Sequence, residues 1–192
     1  LSVLSNYVAN DNLKPIALIF KTKKTSTMKK LLMLASIAFV MSACFGQDKK
    51  PASPRETVSS DNVSVSYGRP YKKGRVIFGE LEKYDKVWRT GANEATEITF
   101  KKDGTFAGKA VKAGTYTLFT IPTAGDWTVI LNSELKQWGA YNYDKIKDKN
   151  VLESKVPSKK LDSVVEQLTI SLSATATTIA WDQTEVTIPM KF

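Results

Sequence analysis

An all-β domain is the fold this sequence predicts: a mostly antiparallel two-layer β-sandwich of jelly-roll type, with an open β-barrel as the alternative. Three observations carry it. Apolar and polar residues alternate with period two in several short segments, the pattern of a strand that buries one face. Glycine-, proline- and aspartate-rich turns separate those segments, as antiparallel neighbours require. No stretch sustains the helical period of about 3.6 for three turns, and about eight to ten strands are expected.

The first strand is Asn62-Val63-Ser64-Val65-Ser66-Tyr67, stopped by Gly68-Arg69-Pro70. Alternation returns at Thr96-Glu97-Ile98-Thr99-Phe100 and ends in Lys101-Lys102-Asp103-Gly104, with Phe106 opening the next strand. Thr115 to Ile121 is β-branched and aromatic and is terminated by Pro122, and Trp127 to Leu131 is its partner across the turn Thr123-Ala124-Gly125-Asp126. Leu135 to Asn150 reads as a long connection anchored by aromatics. The β pattern resumes from Val164, with Leu168, Ile170 and Leu172 on one face, then Ile179 and Trp181, then Val186, Ile188 and Met190. Leu81 to Trp88 allows one short helix or a pair of turns. The expected core includes Val65, Ile98, Phe100, Tyr116, Leu118, Val129, Leu131, Ile170, Trp181 and Ile188.

Ahead of this domain, Met28-Lys29-Lys30 precedes an apolar run from Leu31 to Met41 and the small residues Ser42 and Ala43. That order is an export signal over residues 28–44; its apolar run is about half what a membrane-spanning helix needs. Residues 1–27 read as an upstream extension that is not part of the native protein. Met41-Ser42-Ala43-Cys44 resembles a bacterial lipoprotein signal, which makes Cys44 the lipidated first residue; ordinary cleavage near Gly46-Gln47 is the alternative. Both place the protein outside the cytoplasm, in the periplasm or anchored to the outer membrane, with membrane contact only through that lipid. As Cys44 is the single cysteine, no intramolecular disulfide can form. Residues 45–60 are expected to be a flexible linker and 61–192 a single β domain.

Charge excludes one class of partner. The chain carries a formal +9, but residues 1–44 contribute +5 of it, leaving +4 on the remainder. Lys72-Lys73 and Lys101-Lys102 are short pairs without a basic face around them, so nucleic acid is not an expected partner. Histidine is absent altogether, which removes imidazole-based metal sites and histidine-dependent triads. The acidic residues lack the spacing of a calcium loop, and the glycines form neither a phosphate loop nor a dinucleotide fingerprint. No metal and no cofactor is expected.

The most specific stretches are Tyr67-Gly68-Arg69-Pro70, Lys73 to Gly79, Val87 to Thr96, Ala113 to Pro122, Trp127 to Asn132 and Gln137 to Tyr141. Together they resemble the exported bacterial family of unknown function numbered 2911, typical of Bacteroidota, from about Ser53 to the C-terminus. The resemblance implies export and a β-rich fold, and supplies no activity or catalytic residue.

Within those stretches the ligand-binding candidates are Arg69, Arg75, Arg89, Asn93, Trp138 and Tyr141. Arginine offers a planar fork of donors for carboxylate or phosphate oxygens, and an indole or phenol ring stacks on the apolar face of a sugar. Internal pairing of the arginines with Glu80, Glu82 or Glu94, and simple pinning of a loop by Trp138 and Tyr141, are the structural alternatives. Three functions follow: a noncatalytic cell-envelope module binding a glycan, a peptide or an envelope protein; a histidine-free hydrolase using Glu80 with Glu94 or Asp85 with Glu94, which requires carboxyls about 5–9.5 Å apart; and a purely structural envelope domain.

Overall fold

The computed structural model describes residues 52–192; the expected extension, export signal and Cys44 lie outside the described residues. Nine strands follow in order: β1 Arg55–Ser59, β2 Val63–Gly68, β3 Thr96–Phe100, β4 Gly104–Phe106, β5 Lys109–Val111, β6 Gly114–Ile121, β7 Asp126–Asn132, β8 Asn150–Leu172 and β9 Ala176–Lys191. A single helical turn, α1 Tyr143–Ile146, and a 3-10 turn, Lys147–Lys149, interrupt the connection between β7 and β8. The strands form one open antiparallel sheet in the order β1-β2-β3-β6-β7-β8-β9-β4-β5. The all-β antiparallel class is therefore found, with the two faces of the expected sandwich as parts of a single sheet.

The sheet rolls because β8 serves two neighbours. Its first part pairs with β7 as far as Asp126↔Pro157. From Ser158↔Val186 onward it pairs with β9, with register breaks between Lys160 and Thr169. Pro157, which has no N–H to give a ladder, sits at the hand-over, where such a donor is least needed. The roll brings the segment just after β2 against the other edge of β8: the Leu168 N–H donates to the Pro70 carbonyl at 2.9 Å, and the Lys72 N–H to the Glu166 carbonyl at 2.7 Å. Inside the fold the Tyr67 hydroxyl accepts from the Ile170 N–H at 2.9 Å.

Alternation then fills the interior. In β2 and β3 every second residue is buried, so Val63, Val65, Ile98 and Phe100 enter one cluster with Leu118, Val129, Leu131, Ile170, Trp181 and Ile188. Each large aliphatic or phenyl side chain withdrawn in this way stabilises by about 1.5–3 kcal/mol. At one end of that core, Phe78 meets Trp88, Trp127 and Trp181 edge-on at centroid separations of 5.7, 4.7 and 6.2 Å. Tyr116, expected inside, is half-buried against the cluster.

Two expectations need correction. Arg55–Ser59, assigned to the linker, forms β1 in full register with β2; Val58 is its one large apolar residue, too few for a visible alternation. Of the two alternatives for Leu81 to Trp88, a short helix or turns, the turns are found, with isolated bridges and the Asp85 N–H donating to the Pro122 carbonyl. Asn150 to Ser163, read as connection and gap, is the first half of β8. Its lysines face solvent while Leu152 and Val156 point inward.

Candidate functional site

Between β2 and β3 the chain leaves the sheet for the long excursion Arg69 to Ala95, which returns through a buried knot. Trp88 exchanges two backbone hydrogen bonds with Thr120, at 2.7 and 3.0 Å, taking the place beside β6 that β3 leaves vacant beyond Thr96. Thr90 follows, fully buried with φ 56°. Its hydroxyl lies 3.1 Å from that of Thr120, and its carbonyl accepts from Thr96 Oγ1 at 2.8 Å. The Trp88 indole N–H donates to the Gly91 carbonyl at 3.2 Å. The knot is closed by the Ala92 N–H donating to the Gly68 carbonyl at 3.2 Å. A polar network this buried holds only when its members are satisfied by one another.

Arg69 is committed apart from Arg75 and Arg89, which both act on the Glu82 carboxyl. Arg69 commits its guanidinium internally: Nη1 to Glu56 Oε2, Nε to the Leu168 carbonyl and Nη2 to Thr169 Oγ1, each at 3.0 Å. It thus ties β1, β2 and β8 together. Arg75 donates to the carbonyls of its own turn, Nε to Lys72 at 2.9 Å and Nη2 to Tyr71 at 2.6 Å. Arg89 is half-buried, and its Nε is one of two buried side-chain polar atoms without a partner among the described residues, the other being Trp127 Nε1. Replacing Arg69 by alanine is expected to lower stability by about 1–2 kcal/mol, as partly exposed charge-assisted hydrogen bonds are lost. Urea denaturation measures it, with Arg75→Ala, whose donors serve a single exposed turn, expected to change less.

Asn93, Trp138 and Tyr141 do come together. Glu94 and Trp138 form an antiparallel bridge. On either side of it the Gly139 N–H donates to the Asn93 carbonyl at 3.0 Å and the Ala95 N–H to the Gln137 carbonyl at 2.8 Å. Gly139 adopts φ 71°, and a Cβ there would stand 2.6 Å from Tyr141 Cε2, so the phenol ring folds over bare backbone. Trp138 remains 60% exposed and Tyr141 82%, whereas the other three tryptophans of the chain are at most 2% exposed. The Asn93 side chain is exposed, with φ 62° and a long contact from Nδ2 to the Ser53 carbonyl at 3.4 Å. Glu94 faces Arg55 at 3.7 Å. Two aromatic rings, an amide and a loose ion pair therefore share one backbone-strapped surface.

Glu82, which the sequence offers as an internal partner for the arginines, is set apart by its environment. Burial pushes the Glu82 carboxyl up to about 7, against the opposing pull of the Arg89 and Arg75 guanidiniums. No ion pair within 4 Å joins Glu82 to either arginine among the described residues. Its place between Leu81 and Lys83 in a turn-rich segment gave no sign of burial; only the docking of that segment on the Phe78–Trp88 face creates it. Among the carboxylates named for hydrolysis, Glu80 meets Lys83 at 3.9 Å and Glu94 meets Arg55, both on exposed side chains.

A family profile described as "Protein of unknown function (DUF2911)" matches residues 50–190. No curated protein and no solved structure matches the chain.

Proposed function

We propose, given that the chain belongs to the family of unknown function DUF2911, that this protein is a noncatalytic binding module of the cell envelope. Its contact surface is the loop carrying Trp138 and Tyr141, with Asn93 beside it. The observation that supports this is the exposure of Trp138: a 60% exposed indole on a strapped loop is unpacked apolar surface with no role in the core. Rigid rings cost little conformational entropy when they bind. The flat faces suit the apolar side of a sugar ring, and the Asn93 amide supplies a donor and an acceptor for its hydroxyls. A glycan is accordingly the ligand class favoured, with an envelope peptide or protein as the other outcome.

Trp138 also supplies the assay. Being the one strongly exposed tryptophan of four, it should give the red-shifted, quencher-accessible part of the emission, and a ligand stacked on it should protect that part from acrylamide. Titration with peptidoglycan fragments, envelope polysaccharides and envelope peptides is expected to show such protection. Trp138→Ala should weaken binding by about 1–3 kcal/mol while leaving stability within about 0.5 kcal/mol, as for an exposed position. Equal binding by wild type and variant would remove this surface from consideration.

A further inference from the structure

The sheet ends in β1 on one side and β5 on the other. β5 is three residues long, and Lys109 at its start donates from Nζ to the Glu153 carbonyl at 2.6 Å, so it offers little to a further strand. β1 is different. The Arg69 N–H donates to the Pro54 carbonyl at 2.8 Å and the Ser60 N–H to the Val63 carbonyl at 2.7 Å. In an antiparallel ladder the residues that face the partner alternate, so Pro54, Glu56, Val58 and Ser60 face β2, and the N–H and C=O groups of Arg55, Thr57 and Ser59 point off the sheet. Among the described residues none of those outward groups meets another backbone group. All three residues are exposed.

The side chains of β1 divide between two faces. Arg55, Thr57 and Ser59 take the solvent face, while Glu56 and Val58 share the inner face with their cross-strand partners Tyr67 and Val65, both fully buried. Along that inner face, where β1 comes near β8, lies a concavity of about 760 Å³ whose lining includes Pro54, Glu56, Arg69, Tyr71 and Gln167. Glu56 is already held by Arg69 at 3.0 Å, Lys73 is the one further charged residue of the lining, and Tyr71 presents a 40% exposed ring. An apolar or aromatic group suits such a place. On the solvent face the carboxylate paired with Arg55, that of Glu94, stands no nearer than 3.7 Å.

We propose that β1 is a docking edge for an extended peptide, which adds to it as a further antiparallel strand with apolar or aromatic residues turned into the Tyr71 concavity and acidic residues on the solvent face beside Arg55. Main-chain bonds to Arg55, Thr57 and Ser59 supply affinity in this mode, and the concavity selects alternate side chains. The pairing geometry then fixes which peptide amides matter. Residues directly across from Arg55, Thr57 and Ser59 lie on the same solvent face and turn their own N–H groups towards β1, whereas the inward apolar residues turn theirs away.

Amide-resolved NMR of the full chain, titrated at constant ionic strength with the acetylated and amidated heptapeptide Glu-Val-Glu-Phe-Glu-Val-Glu, tests the assignment. The Arg55, Thr57 and Ser59 amides are expected to shift saturably, and a peptide of the same composition without the alternation is expected to bind about tenfold more weakly. N-methylation of the two central glutamates should abolish the shifts, and N-methylation of the two valines should leave them. T57P removes an outward N–H that the β1–β2 ladder does not use, so it should keep its melting temperature and bind about tenfold more weakly. W138A should bind as wild type, which separates this edge from the Trp138 surface. Silence towards the alternating peptide, equal binding of the rearranged one, or indifference to glutamate N-methylation would overturn the proposal. The same shifts appearing without peptide as the protein concentration rises would also overturn it, and would give the edge to a second copy of the chain.

Discussion

Gly68→Ala is expected to cost about 4 kcal/mol of folding stability, on the scale of severe overpacking, or to prevent folding altogether. A Cβ at Gly68 would stand 2.0 Å from the Ala92 carbonyl oxygen and 2.8 Å from its carbon. The obstacle is backbone, which cannot swing aside as a side-chain tip can. The same backbones are joined by the Ala92 N–H to Gly68 carbonyl bond, so relief of the clash opens the knot that buries Thr90 and positions Trp88. Gly125→Ala is the matched control: a Cβ there meets nothing within 4 Å, and its φ is not positive. It should be neutral or stabilising by up to about 1 kcal/mol through the unfolded state. Urea midpoints of the two variants measure the contrast, and a Gly68→Ala protein as stable as wild type would disprove the close approach.

Glu82→Gln should make the protein less sensitive to alkali. The folded carboxyl titrates at about 7, above its ordinary 4.5. Between those values the folded chain keeps a proton that the unfolded chain has released. The contribution of protonated Glu82 is therefore complete below about pH 4.5 and is lost as pH rises through 7. Its loss amounts to at most about 3 kcal/mol, since each tenfold gain in proton affinity on folding is worth about 1.4 kcal/mol and the group is not wholly buried. Glutamine mimics the protonated form at every pH. Wild type and variant should match near pH 4, and the variant should be the more stable at pH 8, as read by urea midpoints across the range. Parallel curves would show that Glu82 ionises freely.

Much of the β architecture is local and legible in the chain. Val63-Ser64-Val65 and Thr96 to Phe100 alternate because one face of each strand is buried, and the Thr123–Asp126 turn follows from the chemistry of its residues. Trp127 and Trp181 lie inside, as their alternating strands imply. Where strands carry little apolar content, alternation does not reveal them. β1 has one large apolar residue, and the first half of β8 mixes Leu152 and Val156 with lysines, serines and Pro157, so their membership of the sheet rests on pairing with partners distant in sequence.

The candidate residues divide along the same line. That Arg69, Arg75, Arg89, Asn93, Trp138 and Tyr141 sit in irregular segments is readable from composition; which of them meet is not. Arg69 finds Glu56, Leu168 and Thr169 only because the sheet rolls β2 onto β8. Asn93 and Trp138 meet only because the excursion before β3 is strapped to the loop after β7. The all-β class, the strand faces and the exclusion of histidine chemistry needed no coordinates, because side-chain alternation and residue inventory are properties of the chain alone. Long-range packing is what makes Gly68 a contact rather than a turn and pushes the Glu82 carboxyl up. Each of these depends on the distance between residues far apart in sequence, and that distance is set by how the sheet closes over its core.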